Sequence, residues 1–422
     1  MKIKYLLSSL ISLALSLPLL GQAPFTSSSH QPSASSSAFE NPHPSASPFT
    51  SQPSQSLCEP ATPPCQIPVL PRDAWTDEVY EALLKTISEA PEDSYAVFDF
   101  DNTTIINDIS MTLMVYMVEN LRFVFPKEEA FKYFTAFLPD IDCQLKGVGK
   151  SARELAQTMS EDYAFLQDAL KEQQSPNCCQ SQSSSQAPSC CQSSTPSATQ
   201  EQSLCQLQST EQWKSLKDNL LLLNEGIENT FDYDTWCQWM PALFSGMSYA
   251  ELTALTKESV DYWMSRSELI LPQESLHLVQ ALRCKGIDVY ICSASLEAIV
   301  EAMACDPKYG LNFPMEKVFG IRLKDKETVG GAFDETYQQT YLEGKVACIN
   351  RFMRPQHGGK DPILVAGDSG GDLAMLTAFP KALSLVYDCK RGGSIGKYIE
   401  SGAPNAVVQP RTRFTPSTPA DF

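Results

Sequence analysis

The most constraining feature of this sequence is a strand–helix alternation that a long helical block interrupts. Residues 95–100 form a short apolar run of the kind found in buried parallel strands. Residues 105–285 then show helical patterns only, and short apolar runs alternate again with helices from residue 286 to residue 410. Strands that alternate with helices build a parallel sheet covered by helices. The sequence therefore predicts an α/β, Rossmann-like parallel-sheet core with a helical cap inserted after the first core strand.

The predicted core comprises residues 72–104 and 286–410, and the predicted cap comprises residues 105–285. Apolar periodicity places the individual elements within these domains. Helices are predicted at residues 77–88, 109–124, 128–138, 151–170, 213–223, 249–265, 273–285, 296–305, 342–352 and 372–378. Strands are predicted at residues 95–100, 288–292, 318–323, just before 330, 363–366 and 382–387.

The N-terminus has the pattern of an export signal. Lys2 and Lys4 precede an apolar stretch at residues 5–20, and small residues follow at 21–23. We therefore predict a signal peptide over residues 1–23 and a periplasmic or extracellular location, with an uncleaved anchor as the alternative. No later stretch is long and apolar enough to span a bilayer, so no stable membrane span is expected after cleavage.

Two segments rich in Ser, Pro and Gln cannot bury enough apolar surface to fold alone. They are residues 24–71, a predicted disordered tether, and residues 173–208, a predicted exposed insertion in the cap. Residues 411–422 are a predicted tail. The 14 cysteines fit an oxidising compartment. The apolar surroundings of Cys284, Cys292 and Cys348 predict buried thiols at these three positions.

The charge balance excludes some classes of partner. The formal net charge is -18, with 50 acidic and 32 basic residues, and nucleic acids or anionic membranes attract basic surfaces. A small phosphorylated substrate needs only one or two local cations and stays possible. The chain has only 4 histidines, which argues against histidine-based phosphatases and multi-histidine metal sites.

Two aspartates directly follow the first predicted strand, in the sequence Asp99-Phe100-Asp101-Asn102-Thr103-Thr104. Ligands of open α/β sheets bind at this end of the strands. One carboxylate can attack phosphorus and the other can move the proton of the leaving group. A calcium-binding EF-hand loop is excluded because its sixth and twelfth positions would be Thr104 and Ser110 rather than Gly and Glu. A solvated turn remains the alternative for this motif alone.

Three further motifs follow in order. Ser293 ends the predicted strand at 288–292 and could bind a phosphoryl oxygen, while Ser295 is the expected N-cap of the next helix. Lys345 begins a predicted helix and could neutralise a phosphoryl group. Asp368 and Asp372 lie on a glycine-rich loop after a strand, and paired carboxylates there suit a hard cation. Each motif alone also has an ordinary structural explanation.

The last motif also has an interpretation as part of a different class of enzyme. Residues 367–371 read Gly-Asp-Ser-Gly-Gly, as in the nucleophile loop of trypsin-like serine proteases, which would make Ser369 a nucleophile. Such proteases require a general-base histidine. His277 lies in a predicted helix and His357 in a loop, neither in a suitable context. The strand–helix pattern also differs from a double β-barrel, and we reject the protease interpretation.

Taken together, the four motifs resemble the haloacid dehalogenase superfamily of phosphohydrolases. The resemblance covers about residues 95–104 and 288–387, with the helical block as the cap. The position of the cap is similar to that in phosphoserine phosphatases. Three features are similar to those of exported phosphorylcholine phosphatase-like members: the sequence of the first motif, the export signal, and the sequence Leu-Phe-Ser-Gly-Met at residues 243–247.

The resemblance implies a role for each motif residue in a Mg²⁺-dependent phosphomonoesterase. Asp99 would be the nucleophile that forms an aspartyl-phosphate, and Asp101 the general acid and then base. Thr103 would hold the loop in shape within the phosphate-binding set. The remaining implied roles are phosphate binding by Ser293 and Lys345, and Mg²⁺ binding by Asp99, the backbone carbonyl of Asp101, Asp368 and Asp372.

The cap is expected to select the substrate. It contains Trp213, Trp236, Trp239 and Trp263, which with Asp232 and Asp234 could hold a quaternary ammonium by cation–π attraction, or could simply form the cap core. Asp108 is followed by Ile, Ser and Met. The resemblance to choline-recognising relatives would imply further acidic residues at these positions. Phosphorylcholine-like, phosphoserine-like and other small phosphomonoesters remain open. The alternative from another class is a non-catalytic exported metal-binding protein of the same fold.

Overall fold

The computed structural model describes residues 70–174, 204–325 and 329–411. The predicted signal peptide, nearly all of the predicted tether, most of the low-complexity insertion and most of the tail lie outside the described residues. The described chain forms a six-stranded sheet in the order β3-β2-β1-β4-β5-β6, with every pair parallel. The strands are β1 Tyr95–Phe98, β2 Asp288–Leu296, β3 Val318–Ile321, β4 Leu364–Gly367, β5 Leu383–Asp388 and β6 Ala406–Pro410.

Both faces of the sheet are buried, which is why its strands read as continuous apolar runs. Successive residues of a strand point to opposite faces. Ala96 and Phe98 of β1 therefore belong to one core cluster, and Tyr95 and Val97 belong to another. Helices cover each face, so the molecule has the three-layer arrangement predicted for a Rossmann-like α/β fold.

The principal α-helices lie both around the sheet and within the insertion. They are α1 Asp77–Ser88, α2 Ile109–Glu119, α3 Ala130–Phe134, α4 Ala152–Gln174, α5 Glu211–Thr230, α6 Tyr233–Ala242, α7 Tyr249–Ser265, α8 Gln273–Cys284, α9 Glu297–Ala304, α10 Glu343–Cys348, α11 Leu373–Ala378 and α12 Gly393–Ser401.

A helical insertion separates β1 from β2, and several of its helices start at side-chain caps. Asp108 caps α2, Asp232 caps α6, and Ser248 forms a capping box with Glu251 at α7. The chain enters and leaves the insertion side by side. Ile106 and Ile270 exchange both backbone hydrogen bonds in an antiparallel bridge, at 2.8 and 3.2 Å. The insertion therefore joins the sheet through two adjacent crossings.

Several predicted elements end earlier or later in the structure. Helix α2 ends at Glu119 rather than at residue 124, because Leu121 adopts a left-handed backbone with φ 48°. Strand β2 continues to Leu296, so Ser295 lies in the strand and the prediction that it caps α9 is wrong. Helix α6, helix α12 and strand β6 were not predicted. The strand predicted before residue 330 is not present among the described residues there.

Two of the three cysteine predictions are confirmed and one is wrong. Cys292 and Cys348 are buried and free, as predicted. Cys284 is disulfide-bonded, which corrects its assignment as a buried thiol. None of the described helices combines the length and apolar character that crossing a membrane requires.

Candidate active site

Asp99 lies where open α/β sheets bind their ligands. Strand order runs outward from β1 to β3 on one side and from β4 to β6 on the other, so β1 and β4 form the topological switch point. Asp99 follows β1 directly, and its backbone N–H donates to the Ala366 carbonyl of β4 at 2.9 Å. The side chain is buried. The fold therefore fixes this carboxylate at the carboxyl edge of the sheet.

The turn after Asp99 is held by its own polar groups. Asn102 takes a left-handed backbone with φ 55°. The Thr104 hydroxyl donates to the Asp99 carbonyl at 2.7 Å. Thr103 is fully buried, and its hydroxyl has no hydrogen-bond partner among the described residues. In this structure the hydroxyl that closes the turn thus belongs to Thr104.

Asp101 is held by donors from both sides of the insertion point. The Ile109 backbone N–H donates to Oδ1 at 2.7 Å. The Ser295 hydroxyl donates to Oδ2 at 2.7 Å, and the Ser293 hydroxyl lies 3.4 Å from the same oxygen. The contact between Ser295 and Asp101 was not predicted from the sequence, because the small residues after Ser293 do not indicate that β2 continues. The carboxyl group of Asp101 is therefore oriented beside the Ser293 hydroxyl.

Lys345 connects the first motif to the last. Its Nζ lies 2.6 Å from Asp99 Oδ1 and 2.6 Å from Asp372 Oδ1, and its side chain is only 1% exposed. The loop before α10 places it there: the Thr340 hydroxyl donates to the Ser293 carbonyl at 2.5 Å. A lysine buried this deeply is found with opposite charges, since an isolated buried ammonium is very costly.

Asp368 and Asp372 belong to one tight turn after β4. The Asp372 Oδ2 accepts from the backbone N–H of Asp368 at 3.1 Å, and from the backbone N–H and hydroxyl of Ser369 at 3.0 and 2.9 Å. The Ser369 hydroxyl is therefore committed within its own turn. Together with the parallel sheet, this geometry agrees with the rejection of the serine protease interpretation.

Arg391 is a charged residue of the site that the sequence analysis did not find. It lies in the loop between β5 and α12, and its Nε is 2.6 Å from Asp368 Oδ2. The sequence gives only a general signal for this loop, which follows a strand at the same edge of the sheet and continues into Gly392 and Gly393. The surrounding residues carry no pattern that separates this arginine from a surface one.

Burial and charge shift the pKa values of these groups. Burial, followed by the nearby charge of Asp372, raises the pKa of Asp99 to about 7 against the lowering effect of Lys345. Burial and the charges of Asp108 and Asp99 raise the pKa of Asp101 well above its usual value. Burial alone would lower the pKa of Lys345, but the charges of Asp372 and Asp99 outweigh it and raise this pKa.

The donor set fits a divalent cation. Oxygen atoms of Asp99, Asp368 and Asp372 lie within 4.8 Å of one another, and all three residues are buried. Carboxylate oxygens are the ligands that Mg²⁺ and Ca²⁺ prefer. Asp101 adds a fourth carboxyl group, and the side chains of Lys345 and Arg391 contact the cluster.

The structure thus brings the seven predicted site residues to one edge of the sheet, on four chain segments: the turn after β1, strand β2, the start of α10 and the turn after β4. The seven residues are Asp99, Asp101, Thr103, Ser293, Lys345, Asp368 and Asp372. Direct contacts connect Asp99, Lys345, Asp372 and Asp368 with one another. Asp101 contacts Ser293, and Thr103 contributes a buried hydroxyl without a described partner.

Residues 213–377 match the family model for haloacid dehalogenase-like hydrolases. This segment is therefore similar to haloacid dehalogenase-like hydrolases. The matched segment contains Ser293, Lys345, Asp368 and Asp372, whereas Asp99 and Asp101 lie before it. A long helical insertion separates these two aspartates from Ser293, Lys345, Asp368 and Asp372 along the chain.

A curated relative and solved structures are also similar. The chain is 27% identical over 170 residues to a phosphorylcholine phosphatase of Pseudomonas aeruginosa, covering 31% of this chain and 48% of the relative. The match thus spans about half the length of that relative. A conserved functionally unknown protein from Anaerococcus prevotii is 23% identical, with a TM-score of 0.65, covering 82% of this chain and 98% of the other. It shares the fold. A phosphoserine phosphohydrolase-like protein from Francisella tularensis has 13% identity and a TM-score of 0.29, with coverage of 70% and 87%, too low to support an argument.

Proposed function

We propose that this protein is a Mg²⁺-dependent phosphomonoesterase that forms an aspartyl-phosphate on Asp99. The observation that carries the proposal is the position of Lys345, whose Nζ is 2.6 Å from both Asp99 and Asp372 at the switch point of the sheet. A metal site alone does not need a buried lysine between two of its carboxylates. A site for a phosphoryl dianion does, because the nucleophile would otherwise repel its substrate.

The residues would divide the chemistry as follows. An Asp99 carboxylate oxygen attacks phosphorus, the bond from phosphorus to the ester oxygen breaks, and protonated Asp101 gives its proton to the departing alcohol. Water then attacks the aspartyl-phosphate and gives a proton to Asp101, which releases inorganic phosphate and restores Asp99. The raised pKa of Asp101 supports this role, since the first step requires its protonated form.

Phosphate binding and metal binding fall to neighbouring groups in this proposal. Lys345 and the Ser293 hydroxyl would bind phosphoryl oxygens. The carboxylates of Asp99, Asp368 and Asp372, with the backbone carbonyl of Asp101, would hold the cation. A bound Mg²⁺ offsets charge that builds up on the phosphoryl oxygens during transfer.

The substrate proposed is a small phosphorylated metabolite of the phosphorylcholine or phosphoserine kind. The name of the curated relative supports the first of these. Trp239 and Trp263 are buried, with their indole N–H groups bonded to backbone carbonyls, so they serve as core. Trp236 is partly buried and lines a narrow cavity with Ser295. If the insertion contacts the alcohol part of a substrate, Trp236 is therefore the tryptophan in position to do so.

The test measures phosphate release from phosphorylcholine, phosphoserine and p-nitrophenyl phosphate, with and without Mg²⁺. We expect Asp99→Asn to lose Mg²⁺-dependent release by at least about a thousandfold, because the nucleophile is removed. The matched control is Asp261→Asn, whose carboxylate is an exposed partner of Lys308. Activity in Asp99→Asn equal to that of the control would refute the mechanism. Folded wild-type protein that binds Mg²⁺ but releases no phosphate would favour the non-catalytic metal-binding alternative.

A further inference from the structure

The helical insertion places one phenol directly over the metal-binding turn. Tyr233 is the first residue of α6, and Asp232 caps that helix by accepting from Thr235. A Cβ atom built on Gly371 would lie 3.3 Å from the Tyr233 hydroxyl oxygen and 3.6 Å from its Cζ. Gly371 lies between Asp368 and Asp372. The missing side chain at position 371 therefore leaves room for the tip of this phenol beside the carboxylate cluster.

The Tyr233 hydroxyl is unpaired, although polar groups of the neighbouring rings are not. Within the described part of the chain it makes no hydrogen bond, whereas the Trp236 indole N–H donates to Asn224 Oδ1 at 3.0 Å and the Tyr341 hydroxyl donates to Asp234. Ring centroids of Tyr233 lie 5.8 Å from Trp236 and 6.0 Å from Tyr341. Packing against these two rings limits the movement of the phenol.

The loop that carries Lys345 is joined to the same place. The Leu342 backbone N–H donates to the Gly371 carbonyl at 3.1 Å. The turn at Gly371 thus contacts Tyr233 of the insertion on one side and the start of the lysine-bearing loop on the other. Burial and the charges of Cys237, Asp372 and Asp99 raise the pKa of Tyr233, so the phenol lies near two carboxylates of the site.

We propose that Tyr233 is a substrate-binding residue whose hydroxyl donates a hydrogen bond to a phosphoryl oxygen of the substrate and of the phosphate product. The inference rests on the proposed function and extends it to a residue outside the motifs. A phenol is protonated at neutral pH and so is available as a donor. A phosphoryl group offers more acceptor oxygens than Lys345 and the Ser293 hydroxyl can satisfy. A neutral donor beside it strengthens binding without adding charge.

The experiment compares Tyr233→Phe with Tyr341→Phe in the full chain. Each variant loses one hydroxyl from the same group of rings, but that of Tyr341 is already bonded to Asp234. Binding of inorganic phosphate is measured by isothermal titration calorimetry in the presence of Mg²⁺. We expect Tyr233→Phe to weaken phosphate binding about three- to tenfold, the range for one neutral hydrogen bond. Tyr341→Phe should stay within about twofold of the wild type.

Turnover provides the second readout. Hydrolysis of p-nitrophenyl phosphate should show product inhibition by phosphate that weakens by the same factor in Tyr233→Phe. Melting temperatures of the two variants check that the fold is retained. Equal phosphate affinity in the two variants, or no phosphate binding by wild-type protein, would overturn the assignment of Tyr233.

Failure of this inference can be told apart from failure of the proposed function. Calorimetry requires no turnover, so phosphate binding that depends on the Tyr233 hydroxyl supports the inference even if no monoester is hydrolysed. Conversely, wild-type hydrolysis together with unchanged phosphate affinity in Tyr233→Phe supports the proposed function and removes Tyr233 from the site.

Discussion

At the scale of single residues, two cations of different kinds contact the carboxylates of the site. Lys345 is almost completely buried and contacts two carboxylates at once. Arg391 contacts Asp368 through one nitrogen, and its side chain is 29% exposed. Its guanidinium occupies an oxygen that a metal ion could use. Lys345 therefore behaves as a fixed part of the site, whereas Arg391 would compete for Asp368 with the proposed metal ion.

This competition predicts the behaviour of Arg391→Met. Without metal, the free energy of unfolding should fall by about 1–3 kcal/mol, because buried Asp368 loses a charged partner. Mg²⁺ should stabilise the variant more than it stabilises the wild type, since the cation no longer displaces the arginine. Urea unfolding with and without Mg²⁺ measures both effects.

The control for that measurement is Arg354→Met. Arg354 pairs with Asp361 at 3.2 Å, and both side chains are more than 40% exposed. Exposed ion pairs contribute little, so this variant should change the free energy of unfolding by less than about 1 kcal/mol, independently of Mg²⁺. The same Mg²⁺ response in the two arginine variants would contradict the competition at Asp368.

Residues that follow a strand end could be predicted as site candidates, and others could not. Asp99, Ser293 and Asp368 each come after an apolar run. Because the strands are parallel, the three residues are expected at the same edge of the sheet. Tyr233 and Arg391 come from a helix start and a loop whose positions depend on tertiary packing. No local pattern distinguishes them from surface residues.

At the scale of elements, the start of α10 determines where Lys345 points. Leu342 precedes the helix with φ 50°, a value that favours glycine. Gly344 packs against the preceding loop so closely that a Cβ atom there would lie 2.0 Å from the Gln339 carbonyl oxygen. The Thr340 hydroxyl ties the same loop to β2. The helix start and the loop therefore act as one unit that holds the lysine.

Gly344→Ala should disrupt this unit. The added methyl group cannot fit, so the loop from Gln339 to Leu342 must shift, and Lys345 shifts with it. We expect a loss of about 1–3 kcal/mol in the free energy of unfolding, the usual cost of overpacking, together with reduced phosphate release. Chemical unfolding and the p-nitrophenyl phosphate assay provide the two measurements.

Gly396→Ala is the matched control for this prediction. Gly396 lies within α12, and a Cβ atom there would meet nothing within 4 Å. Alanine favours a helix over glycine, so this variant should be as stable as the wild type or more stable by up to about 1 kcal/mol. If Gly344→Ala proved equally harmless, the loop would not hold Lys345 in place.

Elements with strong local signals could be predicted to the residue. Helices α1 and α7 match their predicted bounds because amphipathic periodicity coincides with Thr76 and Ser248 as N-caps. Helix α6 was missed because its start at Asp232 and Tyr233 lacks apolar periodicity, and Pro241 lies inside it.

At the scale of the whole molecule, the sequence predicted a parallel sheet but not its strand order. The alternation of strands and helices requires crossovers, and it leaves open which strands are neighbours. The structure places β1 between β2 and β4, although about 190 residues separate β1 from β2 along the chain. This order brings the four motifs to one edge of the sheet. The division of the chain into a core domain and a cap domain stays a prediction.

The assembled site predicts a pH dependence of metal-induced stabilisation. The pKa of Asp99 is raised from 3.8 in the unfolded chain to about 7 in the folded one. The folded state therefore binds this proton more tightly, so the stability that Asp99 contributes is fully present below about pH 4 and is lost as the pH rises through about 7. Mg²⁺ requires the ionised carboxylate and competes with the same proton.

The melting temperature at a fixed Mg²⁺ concentration should therefore rise little above the metal-free value at pH 5.5 and clearly more at pH 8. In Asp99→Asn the increase should be smaller and nearly independent of pH over this range, because the titrating ligand is absent. Asp261→Asn should behave like the wild type, since its carboxylate is exposed and is not a member of the cluster. Thermal unfolding at a series of pH values tests this. An Mg²⁺-induced increase that is constant from pH 5.5 to 8 in the wild type would mean that Asp99 does not bind the metal.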